Sequence, residues 1–112
     1  MKLVFISAPY SSVSETKRED ITRASESLAM LLWENNIAVI CPHLNSGHFS
    51  DHKTDGPQYL RGYCEIVKRC DAIFQLYPAQ KAPGTLLEKE TAERRTIPIF
   101  KDVKKLLKWS KE

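Results

Sequence analysis

The sequence predicts an open, doubly wound α/β domain, in which a parallel sheet of four to five strands, ordered about 2-1-3-4, is covered by helices. Three observations lead there. Short apolar runs alternate with longer stretches of helical period along the chain. The runs are bounded and continuously apolar, as in strands buried on both faces. Cys70 to Phe100 holds a complete βαβ unit: an apolar run (Ala-Ile-Phe-Gln-Leu-Tyr), a stretch of good helix formers opened by Pro83 and Gly84, and a β-branched and aromatic run ending Ile-Pro-Ile-Phe.

Lys2 to Ala8 reads as the first, central strand. Pro9 and Tyr10 break it, in a loop crowded by the hydroxyls of Ser7, Ser11, Ser12 and Ser14. Ser14 is the N-cap of a helix from about Glu15 to Asn35, with Ile21, Ala24, Leu28, Leu31 and Leu32 as its apolar stripe. Asn35-Asn36 ends that helix, and Ile37 to Cys41 is the second strand. Pro42 to Pro57 is expected to be an irregular loop, of a length that is functional or mobile in a small domain. Gln58 to Arg69 follows as a helix that turns Tyr59, Tyr63, Ile66 and Val67 inward. Asp71 opens the third strand. Thr96 to Phe100 is the fourth, at a sheet edge because Pro98 cannot donate to a ladder. Asp102 caps a last helix with Val103, Leu106, Leu107 and Trp109 inward. The count is four strands and four helices in alternation.

Length and composition fit one domain spanning residues 1–112. With 42% hydrophobic and 28% charged residues the chain is globular rather than disordered. Its formal charge of +3 is too small to argue for nucleic acid, and it gathers in Lys101, Lys104, Lys105, Lys108 and Lys111, the solvated face of the last helix. Membrane association is not expected, since no apolar run reaches spanning length. The three cysteines, Cys41, Cys64 and Cys70, are an odd number in a chain without a signal peptide, which points to reduced thiols and a cytoplasmic protein.

In such folds ligands bind outside the carboxyl ends of the strands, where the loops after strands one, two and three converge. Those loops carry Tyr10 and its serines, then His43 and Asn45, then Gly84 and Thr85 with Glu88 just beyond. Free backbone N–H groups at Gly84 and Thr85 would suit a phosphate, although Pro83 and Gly84 read equally as helix-start residues. Glu88 is placed to act as a nucleophile or base, against the plainer reading of a solvated helix glutamate. Glu90, two positions on, points elsewhere. Cys41, His43, His48, Asp51 and His52 match no zinc spacing, so no metal is expected. No Gly-x-Ser-x-Gly elbow occurs to carry a Ser-His-Asp triad, and Ser7-Ala8-Pro9-Tyr10 lacks the glycine-rich dinucleotide fingerprint, so neither that triad nor bound NAD or FAD is expected.

Taken together, Val4 to Tyr10, Cys41-Pro-His-Leu-Asn45, Cys70-Asp-Ala-Ile73 and Gly84-x-x-x-Glu88-x-x-x-Ala92, followed by Ile97-Pro-Ile-Phe100, resemble the nucleoside 2-deoxyribosyltransferase-like superfamily. The likeness is greatest to its small members, which include the deoxynucleoside 5′-monophosphate N-hydrolases. It covers most of the chain. It implies a flavodoxin-like or Rossmann-like fold, a homodimer or larger assembly, no cofactor and an N-glycosidase acting on a nucleotide. By this likeness Glu88 corresponds to the nucleophile and Tyr10 to the tyrosine that positions it or holds the sugar. Gly84 and Thr85 correspond to the phosphate turn, and Ser7, Pro9, Ser11, His43, Asn45 and Ala82 fall on the substrate-facing loops. The chain departs from the pattern twice. Tyr63 stands where the family has an aspartate that helps hold the sugar and protonate the leaving base, and Ala82 stands where a serine is common. Asp51, Asp55 and Glu65 are the candidates to replace that aspartate. The competing expectation is a catalytically silent nucleotide-binding protein on the same fold, and a third is a partner-binding module that uses the basic last helix.

Overall fold

Each apolar run forms a strand in the computed structural model, which describes residues 1–9, 14–49, 56–77 and 83–112. The elements are β1 (Lys2–Ser7), α1 (Glu15–Glu34), β2 (Ile37–Ile40), α2 (Pro42–Asn45), α3 (Pro57–Lys68), β3 (Ala72–Gln75), α4 (Pro83–Arg94), β4 (Ile99–Phe100) and α5 (Val103–Ser110). All strand pairs are parallel and the order is β2-β1-β3-β4, as the sequence predicts for a Rossmann-like or flavodoxin-like sheet. Four strands are found among the described residues.

The sheet separates two apolar clusters. Val4, Ile6, Ala72 and Phe74 pack with Leu28 and Leu32 of α1 and Leu106 of α5. Phe5 and Ile73, one residue out of phase, pack on the other face with Tyr63 and Val67 of α3 and Ala92 of α4. The period-2 alternation of a strand thus assigns α1 and α5 to one layer and α3 and α4 to the other.

Five expectations are corrected. Asp71 does not begin β3. Its carboxylate instead accepts from the Leu3 N–H at 2.7 Å and ties the strand entry to β1. The fourth strand shrinks to Ile99–Phe100, because Thr96 takes a left-handed conformation (φ 55°) at the end of α4. There the Thr96 and Ile97 N–H groups return to the carbonyls of Glu93 and Ala92, closing the helix in the manner of a Schellman motif. Leu31 is 38% exposed, and the inward row of α1 runs Ile21, Ser25, Leu28, Leu32. The loop after β2 begins with a helical turn, α2, led by Pro42 in the position where a missing N–H does no harm. With α2 the helices number five among the described residues.

The cap assignments agree with the sequence. Ser14 Oγ accepts from the Lys17 N–H at 3.3 Å and Asp102 Oδ1 from that of Lys105 at 3.2 Å. Asn35 is the C-cap of α1, and Asn36 takes φ 63° just beyond it. No described helix is long and apolar enough to cross a membrane.

Candidate functional site

The strand order changes direction between β1 and β3, and ligand sites of open α/β sheets lie at such a switch. β1 ends there in Ser7 and β3 in Gln75, directly in register. α4 lies across this end on the α3 side. Thr85, Glu88, Thr91 and Ala92, three or four apart, form its inward row.

Glu88 is therefore a buried carboxylate, 8% exposed, and the solvated alternative fails. Ser7, 2% exposed, donates its hydroxyl to Glu88 Oε1 at 2.6 Å, across 81 positions of sequence. Burial pushes the Glu88 carboxyl up to about 7, because a charge is poorly solvated there, while the Ser7 hydrogen bond opposes the shift. At neutral pH the group is poised between its acid and its ionised form.

A second buried cluster lies past the end of β2. His43, in α2, is 7% exposed and shares a 2.7 Å hydrogen bond between its Nε2 and Ser25 Oγ of α1. Cys41 Sγ lies 3.6 Å from each ring nitrogen. Burial lowers His43 to about 4 and pushes the Cys41 thiol up to about 12, the Glu88 charge adding to the latter. Imidazole and thiol are both neutral at physiological pH. The three cysteines are free thiols, as expected. No group of His, Cys, Asp and Glu that could hold a metal occurs among the described residues.

Tyr63, which stands where the resemblance leads one to expect an aspartate, holds α2 in place. Its hydroxyl donates to the Pro42 carbonyl at 3.2 Å, shares a 2.5 Å hydrogen bond with Ser46 Oγ and accepts from Asn45 Nδ2 at 3.1 Å. Its ring meets Phe5 edge-on at 6.2 Å. Gly47 completes the turn, since a Cβ there would sit 2.3 Å from the His43 carbonyl oxygen.

Of the predicted site residues, Ser7 and Glu88 are brought into contact. Pro9 is buried just past β1, and Gly84 and Thr85 open α4. A Cβ on Gly84 would meet Leu60 Cδ2 at 3.2 Å, so this glycine lets α3 and α4 approach closely. His43 and Asn45 are drawn into the α2 contacts just described. Tyr10, Ser11 and Ala82 lie outside the described residues, as do Asp51, Asp55 and His52. Glu65 pairs with Lys68 and Arg69 at 2.7 and 3.3 Å, lining a groove of about 530 Å³ between the outer surfaces of α3 and α4. Neither Ser7 nor Glu88 lines that groove. Sequence reasoning missed Ser25 and Gln75, which are 0% and 5% exposed. Ser25 is on the helical period of Ile21 and Leu28, and Gln75 is the one amide in an otherwise apolar run.

No protein-family model matches the chain, and no curated protein matches it in sequence. Among solved structures it is similar to the 2-deoxyribosyltransferase of the psychrotolerant bacterium Bacillus psychrosaccharolyticus. The TM-score is 0.60 at 14% identity, over 90% of this chain and 75% of that one. The likeness is one of fold.

Proposed function

We propose that this chain is a single-domain nucleotide N-glycosidase, which cleaves the base–sugar bond of a nucleoside 5′-monophosphate or a close relative with Glu88 as nucleophile. One observation carries the reading: a carboxylate buried at the switch point of the sheet, oriented by a serine at 2.6 Å and raised to about 7. A buried ionisable side chain with a specific partner, set at the switch point, is a candidate functional group. The fold likeness to a 2-deoxyribosyltransferase supports the class of bond.

Breaking the bond from C1′ to the base nitrogen builds positive charge on C1′. The ionised Glu88 carboxylate stabilises that charge and bonds to C1′, while the electron pair of the broken bond leaves with the base. Water attacking C1′ then releases the sugar and regenerates the ionised Glu88, the proton that water gives up being taken by the departed base; attack by a second base, which gives up its proton in the same way, effects transfer instead. Gly84 and Thr85, at the opening turn of α4, are assigned to the 5′-phosphate, where helix N–H groups favour an anion. Tyr10, Pro9, Ser11 and Ala82 are assigned to the walls of the same site, and assembly as a homodimer belongs to the same reading.

A second reading has its own observation. The Tyr63 hydroxyl is bonded to three groups of the α2 turn, so it does not replace the family's acid at the leaving base. A protein that binds nucleotides without cleaving them would have this arrangement. Incubation with a panel of nucleoside 5′-monophosphates separates the two. Release of free base that disappears in Glu88→Ala establishes the glycosidase. Saturable binding without release establishes the silent binder, and neither result leaves the basic α5 surface as the functional part.

A further inference from the structure

Gln75 is 95% covered, yet its carboxamide has no hydrogen-bond partner among the described residues. No fully buried side-chain nitrogen or oxygen there lacks a partner, so the stem of Gln75 is packed while its amide tip keeps a narrow accessible surface. Its direction follows from the pleat. Phe5 and Ile73 face α3 and α4, and Ser7 and Gln75, two residues further along each strand, face the same way. The two residues are one strand spacing apart, about 4.8 Å. Ser7 in turn touches Glu88. Gln75 and Glu88 therefore both neighbour Ser7, one across the sheet and one from α4, at the switch between β1 and β3.

We propose that Gln75 is a substrate-binding residue whose carboxamide recognises a hydroxyl on the α face of the pentose. The inference rests on the glycosidic reading above and adds to it the group that reads the sugar. In a β-nucleoside the base departs from one face of the ring, and the carboxylate meets C1′ from the other. The 2′- and 3′-hydroxyls lie on that second face. A donor and acceptor that shares the neighbour Ser7 with Glu88 thus meets a sugar hydroxyl, whereas the base is on the far side of the ring. An amide at the mouth of a packed site, covered fully only when a ligand sits over it, discriminates strongly, because a ligand lacking the hydroxyl shuts it off from water and leaves it unpaired.

The test is a cycle of one protein change against two ligand changes. Wild type and Gln75→Met are compared for binding and base release, using the four common ribonucleoside 5′-monophosphates with their 2′-deoxy and 3′-deoxy forms. Methionine keeps the length of the side chain and removes the amide. Thermal unfolding checks the fold, and Gln75→Leu serves as a second apolar variant. For wild type, removing the recognised hydroxyl is expected to weaken binding or kcat/KM at least about 10-fold. In Gln75→Met that penalty should fall below about threefold, with the other hydroxyl's effect unchanged, so the result also identifies which hydroxyl is read. Equal penalties in wild type and both variants overturn the inference alone. Wild type that neither binds nor cleaves any of these nucleotides overturns the glycosidic reading, and this one with it.

Discussion

Glu88 and His43 are near neighbours in the fold and opposites in chemistry. Each is more than nine-tenths buried, bonded to a serine, and placed near the carboxyl end of one of two adjacent strands. Burial drives each toward its neutral form. For an imidazole this means a value near 4, below any physiological pH, so His43 stops titrating. For a carboxyl it means a value near 7, so Glu88 begins to titrate where proteins work. The surroundings differ as well. Two contacts of His43 lead inward, to Ser25 on the buried face of α1 and to Cys41. Glu88 leads through Ser7 to the switch between β1 and β3, where Gln75 also neighbours Ser7. The same physical force locks one group and poises the other.

The strongest way to break the comparison is to remove the poised group. Glu88→Gln is expected to lower base release by about 10³-fold or more, since the covalent step needs the carboxylate. In wild type, kcat/KM should rise with pH through about 7 as Glu88 ionises. Full activity in Glu88→Gln would mean that the buried carboxylate is a structural group like His43.

Stability against pH sharpens the same contrast. The folded state holds the Glu88 proton more tightly than the unfolded chain does. Its contribution is therefore fully present below about 4.5 and is lost as pH rises through about 7. His43 runs the other way: its contribution is present above about 6.5 and is lost as pH falls through about 4. Each amounts to about 3 kcal/mol. Urea titrations of wild type and Glu88→Gln should show the variant gaining stability relative to wild type between pH 4.5 and 7. A constant difference across that range would remove the basis for calling Glu88 poised.

Gly47→Ala tests the locked side alone. A Cβ 2.3 Å from the His43 carbonyl oxygen collides with backbone and forces α2 to shift, at about 2 kcal/mol. If the His43 cluster is purely structural, base release per folded molecule should stay within about twofold of wild type. A loss as large as that of Glu88→Gln would place α2 in the catalytic machinery.

Sequence periodicity reaches the elements and their inward faces, because burial patterns repeat every two or four residues and so are written locally, whereas the strand order follows from the doubly wound class that their alternation implies. Spacing alone leaves Glu88 open between a site carboxylate and a solvated one, and the family resemblance singles it out. The partners of these groups are less legible. Ser7 and Glu88 are 81 positions apart, and only the folded sheet brings them to 2.6 Å. Ser25 reads as a polar interruption of a helix until His43 is found against it. Thr96 is β-branched and looks like a strand residue, yet the closing hydrogen bonds of α4 hold it left-handed. The need for glycine at position 47 is set by a carbonyl four residues back, in a turn that the sequence marks only with Pro42.

The smallest expected effect is the most direct measure of what poises Glu88. In Ser7→Ala the carboxylate loses its 2.6 Å donor while its burial hardly changes. That hydrogen bond favours the ionised form, so its removal raises the Glu88 pKa above 7. The alkaline-going rise of kcat/KM should move up by about one pH unit, which one hydrogen bond to a charged group is worth. At pH 7 this leaves base release reduced by less than about 10-fold, and at pH 9 restores it nearly to wild type, since Glu88 is then ionised in both proteins. Ser7→Thr should keep the original profile if the larger side chain still reaches Oε1. A Ser7→Ala profile that keeps its midpoint but is lower at every pH would mean that Ser7 acts on the sugar rather than on the carboxylate. The two buried serines would then differ in kind, Ser25 holding an imidazole in place and Ser7 holding the ligand.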